Sequence, residues 1–283
     1  MNLRFAWRKL VNVVMLSLTG LCALLTVSVL FLILGFLIYN GGRDLSWAFL
    51  THLPAPVGEP GGGMANAIVG SAKILFLAAI SGVPVGFIGG VYLAEFGGKT
   101  FSFLVRYTAD LLNGVPSIVM GIFIYTVVVL PMHTFSALAG GLALGVMLIP
   151  IVLRSTEEFL RAVPMSMREG ALAVGARKWR AILTVVIPAA YKGIATGILL
   201  SLARVAGETA PLLFTSFGNR YWSHGWNQAT ASLPVMIYTY ASSAYEDWKQ
   251  QAWAAGLVLL ALVLVANIGA KLILSRGMSA ARG

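Results

Sequence analysis

Arg154 and Glu157 stand three residues apart, and Arg204 and Glu208 four apart, in stretches that are otherwise largely apolar. On a helix, either spacing puts both side chains on one face. Unpaired charge is costly in hydrocarbon, so such residues are expected to face a bundle interior, a partner or water. The planar fork of arginine matches the oxygens of an oxyanion, and a neighbouring carboxylate tempers the positive field and holds the guanidinium in place. The same pairs can also lock helices together and nothing more. Lys73 is a further candidate, although it lies near enough to an outer helix end to snorkel. Asp110 is expected to open a helix, where a carboxylate gains from the macrodipole.

Other chemistries find little support. Cys22 is the single cysteine and lies in an apolar run, which leaves no disulfide framework or thiolate cluster. His52, His133 and His224 are far apart and lie near Pro, Gly or Trp, so neither a zinc site nor a general base is expected. There is no Gly-rich phosphate-cradling loop of the Walker A type, and no paired-carboxylate site at metal-ligand spacing. We therefore expect no enzyme activity and no bound cofactor in this chain. A secondary transporter would call for an internal repeat with paired broken helices, and no clear repeat is visible.

The elements that carry these residues follow from composition. Of 283 residues, 58% are hydrophobic and only 11% charged, with a mean hydropathy of +0.85, outside the ordinary soluble range. The net charge of +10 is distributed between apolar segments and not gathered into a nucleic-acid stripe. A hydrocarbon core about 30 Å thick needs helices of roughly 17 to 25 apolar residues. Six candidates emerge, near 12–38, 66–94, 110–131, 136–153, 189–214 and 252–274, an all-α polytopic membrane protein in one domain, 1–283. The first is too long for an ordinary cleaved signal peptide and is expected to remain as a span.

Lys and Arg test this reading, because cytoplasmic loops carry them in excess. With the N-terminus inside, Arg4, Arg8, Lys9, Lys99, Arg106, the run Arg154 to Lys192, Lys271, Arg276 and Arg282 all fall inside, and only Arg43, Arg220 and Lys249 face out. Both termini are then cytoplasmic. Gly41 to Gly63, with three prolines, reads as a connection. Pro84 among Gly82, Gly86, Gly89 and Gly90 suggests a broken helix lining a pathway, whereas Gly140, Gly141 and Gly145 suggest close helix packing. Trp222, Trp226, Tyr238, Tyr240, Tyr245 and Trp248 suit a segment lying along the membrane interface.

The segment 163–180 is the least hydrophobic long stretch between spans. Ser166 and Glu169 have the spacing of a capping box, so a short helix is expected to open there, run through Ala173 and stop at Gly175. Arg177, Lys178 and Arg180 then begin a second amphipathic piece. Glu169-Gly170-Ala171, then Gly175 after three residues, then Ile187-Pro188, resembles the EAA signature of bacterial ABC-importer permeases, with Gly170 where the family usually has Ala. The resemblance sharpens toward the PstA family of phosphate-importer permeases. It is carried by Gly61-Gly-Gly-Met-Ala-Asn-Ala-Ile-Val-Gly70, Gly90-Val-Tyr-Leu-Ala-Glu-Phe96, Asn113-Gly-Val-Pro-Ser-Ile-Val-Met-Gly121, Leu153-Arg-Ser-Thr-Glu157 and Ala203-Arg-Val-Ala-Gly-Glu-Thr-Ala-Pro-Leu-Leu-Phe214.

This resemblance implies a type I ABC-importer permease fold and one half of a phosphate pathway. It implies a PstC-type permease partner, two PstB-type ATPase subunits that bind ATP and magnesium, and a periplasmic PstS-type binding protein in the complex. Ser166, Glu169, Gly170, Ala171 and Gly175 would meet the ATPase, and Arg154, Glu157 and Arg204 match positions regarded as transport-critical. Another oxyanion remains an alternative cargo.

Overall fold

Inside a membrane every backbone N–H and C=O needs an internal partner, and the apolar runs meet that need as helices. The computed structural model describes residues 3–56, 59 and 61–276; Pro60 and Arg282 lie outside them. The elements are α1 (Leu3–Asp44), α2 (Trp47–Thr51), α3 (Ala65–Glu95), α4 (Lys99–Gly114), α5 (Ser117–Ile124), a π-helical turn (Tyr125–Val129) and α6 (Leu130–Met132), followed by α7 (Ala137–Arg161) and α8 (Met165–Ala173). Next come α9 (Lys178–Ala181), a second π-helical turn (Ile182–Val186), α10 (Ile187–Ala206), α11 (Ala210–Thr215), α12 (Leu233–Ala241) and α13 (Glu246–Arg276).

Five stretches, Trp7–Asp44, Ala65–Glu95, Ala137–Arg161, Lys178–Ala206 and Glu246–Leu272, are long and apolar enough to cross a membrane. The sixth passage, expected as one helix over 110–131, is instead a pair, Lys99–Gly114 and Ser117–Met132, bent by 100°. Pro116 is the cause: it disfavours helical backbone in the residue before it, and Val115 is extended (φ −69°, ψ 130°). Asp110 consequently sits in the second half of α4, not at a helix N-terminus. The expected span 189–214 also shifts. Its helix starts at Lys178, so the basic residues there open a spanning helix and form no separate amphipathic piece, and it ends at Ala206 before resuming as α11.

The centre of the molecule is the α3–α7 pair. Pro84 does not break α3, which is continuous from Ala65 to Glu95, so the expectation of a broken helix at this point is corrected. Its glycines serve close packing against α7. A Cβ at Gly82 would stand 2.4 Å from the Gly145 carbonyl oxygen, one at Gly86 2.8 Å from that of Ile149, and one at Gly90 2.7 Å from that of Leu153. From the other side, Gly141 and Gly145 admit Leu77 and Ser81, the small-residue interface expected of 140–145. Ile74, Ala78, Leu144, Leu148, Val205, Leu212 and Val235 fill the core around this seam. α10 closes onto α7 where Gly193 and Gly197 receive Phe159 and Ser155.

The aromatic stretch between the last two spans is more than an interfacial loop. Its backbone enters the bundle: Gln228 and Trp226 carbonyls accept from the N–H groups of Ala137 (3.1 Å) and Leu138 (3.0 Å), and the Leu233 N–H donates to Ser71 Oγ at 2.7 Å. Tyr240 is buried and stacks on Trp248 with ring centroids 4.3 Å apart, whereas Trp222, Trp226, Tyr238 and Tyr245 are exposed. α1 is exposed along nearly its whole length and meets α13 near its end, where Phe36 packs edge-on against Trp253.

Candidate functional site

Glu157 is the most shielded of a group of charges on α4 and α7, its side chain only 4% exposed. Three guanidinium groups surround it. Arg106 donates to Oε1 through Nη2 at 2.7 Å and Nε at 2.8 Å, Arg161 reaches the same oxygen at 3.0 Å, and Arg154 approaches Oε2 at 3.5 Å. Arg154 also pairs with Asp110 at 3.2 Å. Arg106, Arg154, Glu157, Glu158 and Arg161 line a cavity of about 250 Å³. Arg154 and Arg161 are each about half-exposed, so part of their donor capacity faces that space.

The expected Arg154–Glu157 pair is therefore present, but as part of a larger cluster. Arg106, Arg161 and Asp110 were not legible as its members. Arg161 had a signal, since it stands four residues from Glu157 on the same helix. Arg106 had none, being 51 residues away in sequence.

Arg204 and Glu208 do not pair as helical neighbours. Gly207 ends α10 before Glu208, with its N–H on the Arg204 carbonyl, and among the described residues no ion pair joins the two side chains. They instead share a second cavity of about 210 Å³, lined also by Asn113, Val115, Ser117, Met147 and Ile151. Its walls include the break at Pro116 and the end of α10, two places where a helix stops inside the bundle. Ile151 precedes Arg154 by one turn on α7, and Asn113 follows Asp110 by one turn on α4. The two cavities thus follow one another along the α4–α7 seam, with nearest lining residues three apart on α7 (Ile151 and Arg154) and six apart on α4 (Arg106 and Leu112).

Lys73 is committed elsewhere. Its ammonium donates to the Ser223 carbonyl at 3.1 Å and to that of Gly225, and lies 5.1 Å from the centre of the Trp226 ring, which fastens the 223–226 segment to α3.

The 163–180 segment folds at the opposite end of α3 from the 223–226 segment. α8 begins at Met165, with Pro164 as its cap residue and no side-chain cap bond. Ser166 thus falls inside the first turn, and the expected capping box does not form. The C-terminal end behaves as expected: Gly175 has φ +84°, its N–H meets the Leu172 carbonyl at 2.9 Å and that of Ala176 meets the Ala171 carbonyl at 3.3 Å, the paired bonds of a Schellman turn. Ser166, Glu169 and Gly170 are exposed and Ala171 is half-buried. Met165, Met167, Leu172 and Val174 are exposed as well. An ion pair that the sequence gave no sign of, Arg168 with Glu95 at 2.9 Å, lies beneath the helix, its side chains only 16% and 7% exposed.

An all-helical bundle with two glycine-packed central helices, charge clustered between one of them and α4, and a short exposed helix at one end is the architecture of a membrane-embedded subunit. Residues 82–277 match the family described as binding-protein-dependent transport system inner membrane component. The chain is thus a multi-pass inner-membrane protein of that class. It is 43% identical over 272 residues to the phosphate transport system permease protein PstA of Yersinia pestis, covering 96% of this chain and 92% of that one. To PstA of Xylella fastidiosa strain Temecula1 it is 46% identical over 275 residues (95% and 94% covered), and to the probable PstA of Methanocaldococcus jannaschii 37% over 259 (91% of each). The chain belongs to the PstA family of permeases. Solved structures agree in fold. An inward-facing MetNI methionine ABC transporter matches with a TM-score of 0.58 at 19% identity, covering 75% of this chain and 96% of that one. A bacterial ABC transporter involved in import of the acidic polysaccharide alginate matches at 0.55 and 14%, covering 89% and 95%. The fold is that of type I ABC-importer permeases.

Proposed function

We propose that this chain forms one half of the membrane pathway of an ATP-driven inorganic phosphate importer. The observation that carries the reading is the buried Glu157 carboxylate with three guanidinium groups around a cavity, in a bundle otherwise poor in charge. Phosphate carries one to two negative charges and needs donors on its way through. Arginine supplies them as a planar fork, while an excess of uncompensated positive charge would trap the ion. Glu157, Glu158 and Asp110 offset the three arginines, so the cavity offers hydrogen bonds without a deep electrostatic well. Arg204, with Asn113, Ser117 and Glu208 in the neighbouring cavity, provides the next station. Lys73 is left out of this pathway, since its ammonium is engaged with loop carbonyls.

The energy enters from outside the chain. α8 presents Ser166, Glu169, Gly170 and several exposed apolar side chains, a surface suited to a groove on a water-soluble subunit. In this reading one of two PstB-type ATPases, which themselves bind ATP and magnesium, docks there, a PstC-type permease completes the pathway, and a PstS-type protein delivers phosphate from the periplasm. Both termini and α8 then face the cytoplasm.

The deciding measurement is uptake by the complete complex in proteoliposomes, with phosphate, sulfate and molybdate compared. ATP-dependent accumulation of phosphate, lost when the ATPase is omitted, is the expected result. Equal uptake of sulfate would move the cargo to oxyanions in general, and uptake without ATPase would indicate a secondary transporter.

A further inference from the structure

We infer that Arg168 and Glu95 form the joint through which movement of α8 reaches the membrane core, which makes Arg168 a positioning residue for transport. This rests on the reading above, in which α8 meets an ATPase. Among the described residues, Arg168 is the source of every side-chain hydrogen bond that α8 makes with other elements of the chain. Its Nη2 and Nε donate to Glu95 Oε1 at 2.9 and 3.3 Å. Nη2 also donates to the Leu160 carbonyl and Nη1 to the Val163 carbonyl, each at 2.6 Å.

These acceptors sit at meaningful places. Glu95 is the last residue of α3, and Leu160 belongs to the last turn of α7, where its carbonyl accepts from the Val163 N–H at 3.2 Å as well as from Arg168. One guanidinium therefore binds α8 to the ends of both central helices. Glycine packing makes α3 and α7 a single unit, and Leu160 follows Glu157 by three residues, so the joint stands less than one turn from the charge cluster. Lys178 adds a second tie by donating to the Glu95 carbonyl at 2.6 Å.

Elsewhere α8 is not welded to the bundle. It lies against α9 and the second π-helical turn, with a cavity of about 360 Å³, lined by Met165, Arg168 and Leu172 of α8 and by Ile182 and Val186, left beside that contact. The side-chain hydrogen bonds from α8 to the central helices converge on one shielded ionic point, and movement of α8 reaches those helices through it. A shielded ion pair is a poor source of net stability but keeps a defined geometry, which suits transmission better than apolar contact.

The experiment uses the complete reconstituted complex and reads two quantities, the amount assembled and the ATP hydrolysed per phosphate taken up. Glu95→Gln keeps the shape and leaves Arg168 bonded to Leu160 and Val163, while Arg168→Lys keeps the charge but cannot span three acceptors. Both variants are expected to assemble and hydrolyse ATP, with the ATP used per phosphate raised about ten-fold. If assembly falls while the ratio holds, or if neither changes, the joint is only a structural tie and the inference is overturned. Should Arg168→Lys fail to assemble, Glu95→Gln decides alone. A wild-type complex that takes up no phosphate with ATP would overturn the transport reading itself, before any variant is compared.

Discussion

At the scale of residues, the three guanidinium groups on Glu157 are not equivalent. Arg106 makes the two shortest bonds and its side chain is 28% exposed, whereas that of Arg161 is 52% exposed. An exposed partner contributes about 0–1 kcal/mol; removing a shielded partner from a buried carboxylate costs about 3–5 kcal/mol, less where other cations remain. Arg106→Gln is therefore expected to lower the thermal midpoint of the detergent-solubilised complex clearly, and Arg161→Gln hardly at all. Equal midpoints for the two variants would show that the cluster does not distinguish its partners. The double variant Arg106→Gln with Glu157→Gln should regain much of the midpoint, since it leaves no buried charge unpaired.

At the scale of elements, the α3–α7 seam depends on backbone approaching backbone. A methyl group at Gly82 would stand 2.4 Å from a carbonyl oxygen that cannot rotate away, so Gly82→Ala must push the helices apart. Overpacking of this kind costs about 1–3 kcal/mol. Gly20, in α1, has no neighbour within 4 Å of an added Cβ and serves as the control, because alanine there only favours the helix. Heating both variants in detergent and following the loss of folded protein should show Gly82→Ala melting below wild type and Gly20→Ala unchanged or higher. Matching melts would mean that the close packing carries no stability.

At the scale of the whole molecule, the six-passage arrangement makes a prediction about sides. With Cys22→Ser as background, Ser166→Cys should react with a membrane-impermeant maleimide in inverted vesicles and not in intact cells with a permeabilised outer membrane. Thr51→Cys, exposed at the end of α2, should show the opposite pattern. Labelling of both positions from one side would break the topology and, with it, the placing of α8 against an ATPase.

The sequence by itself determined the apolar helices, their approximate number, the small-residue packing near 140–145 and the turn at Gly175, because each follows from local composition or from one residue's backbone freedom. The bend at Pro116 was also written locally, but the apolar run across it outweighed the proline in a reading by hydropathy. The rest depended on how the helices pack. The capping spacing of Ser166 and Glu169 went unused because Pro164 set the start of α8. Pro84 left α3 unbroken, and its glycines became a packing surface, because α7 lies along it. Arg106 joined Glu157, and Glu95 joined Arg168 from 73 residues away, because helices that are neighbours in space bring together ends that are remote in the chain. Ion pairing depends on distance in three dimensions, and no local pattern records which distant charge a folded bundle will deliver.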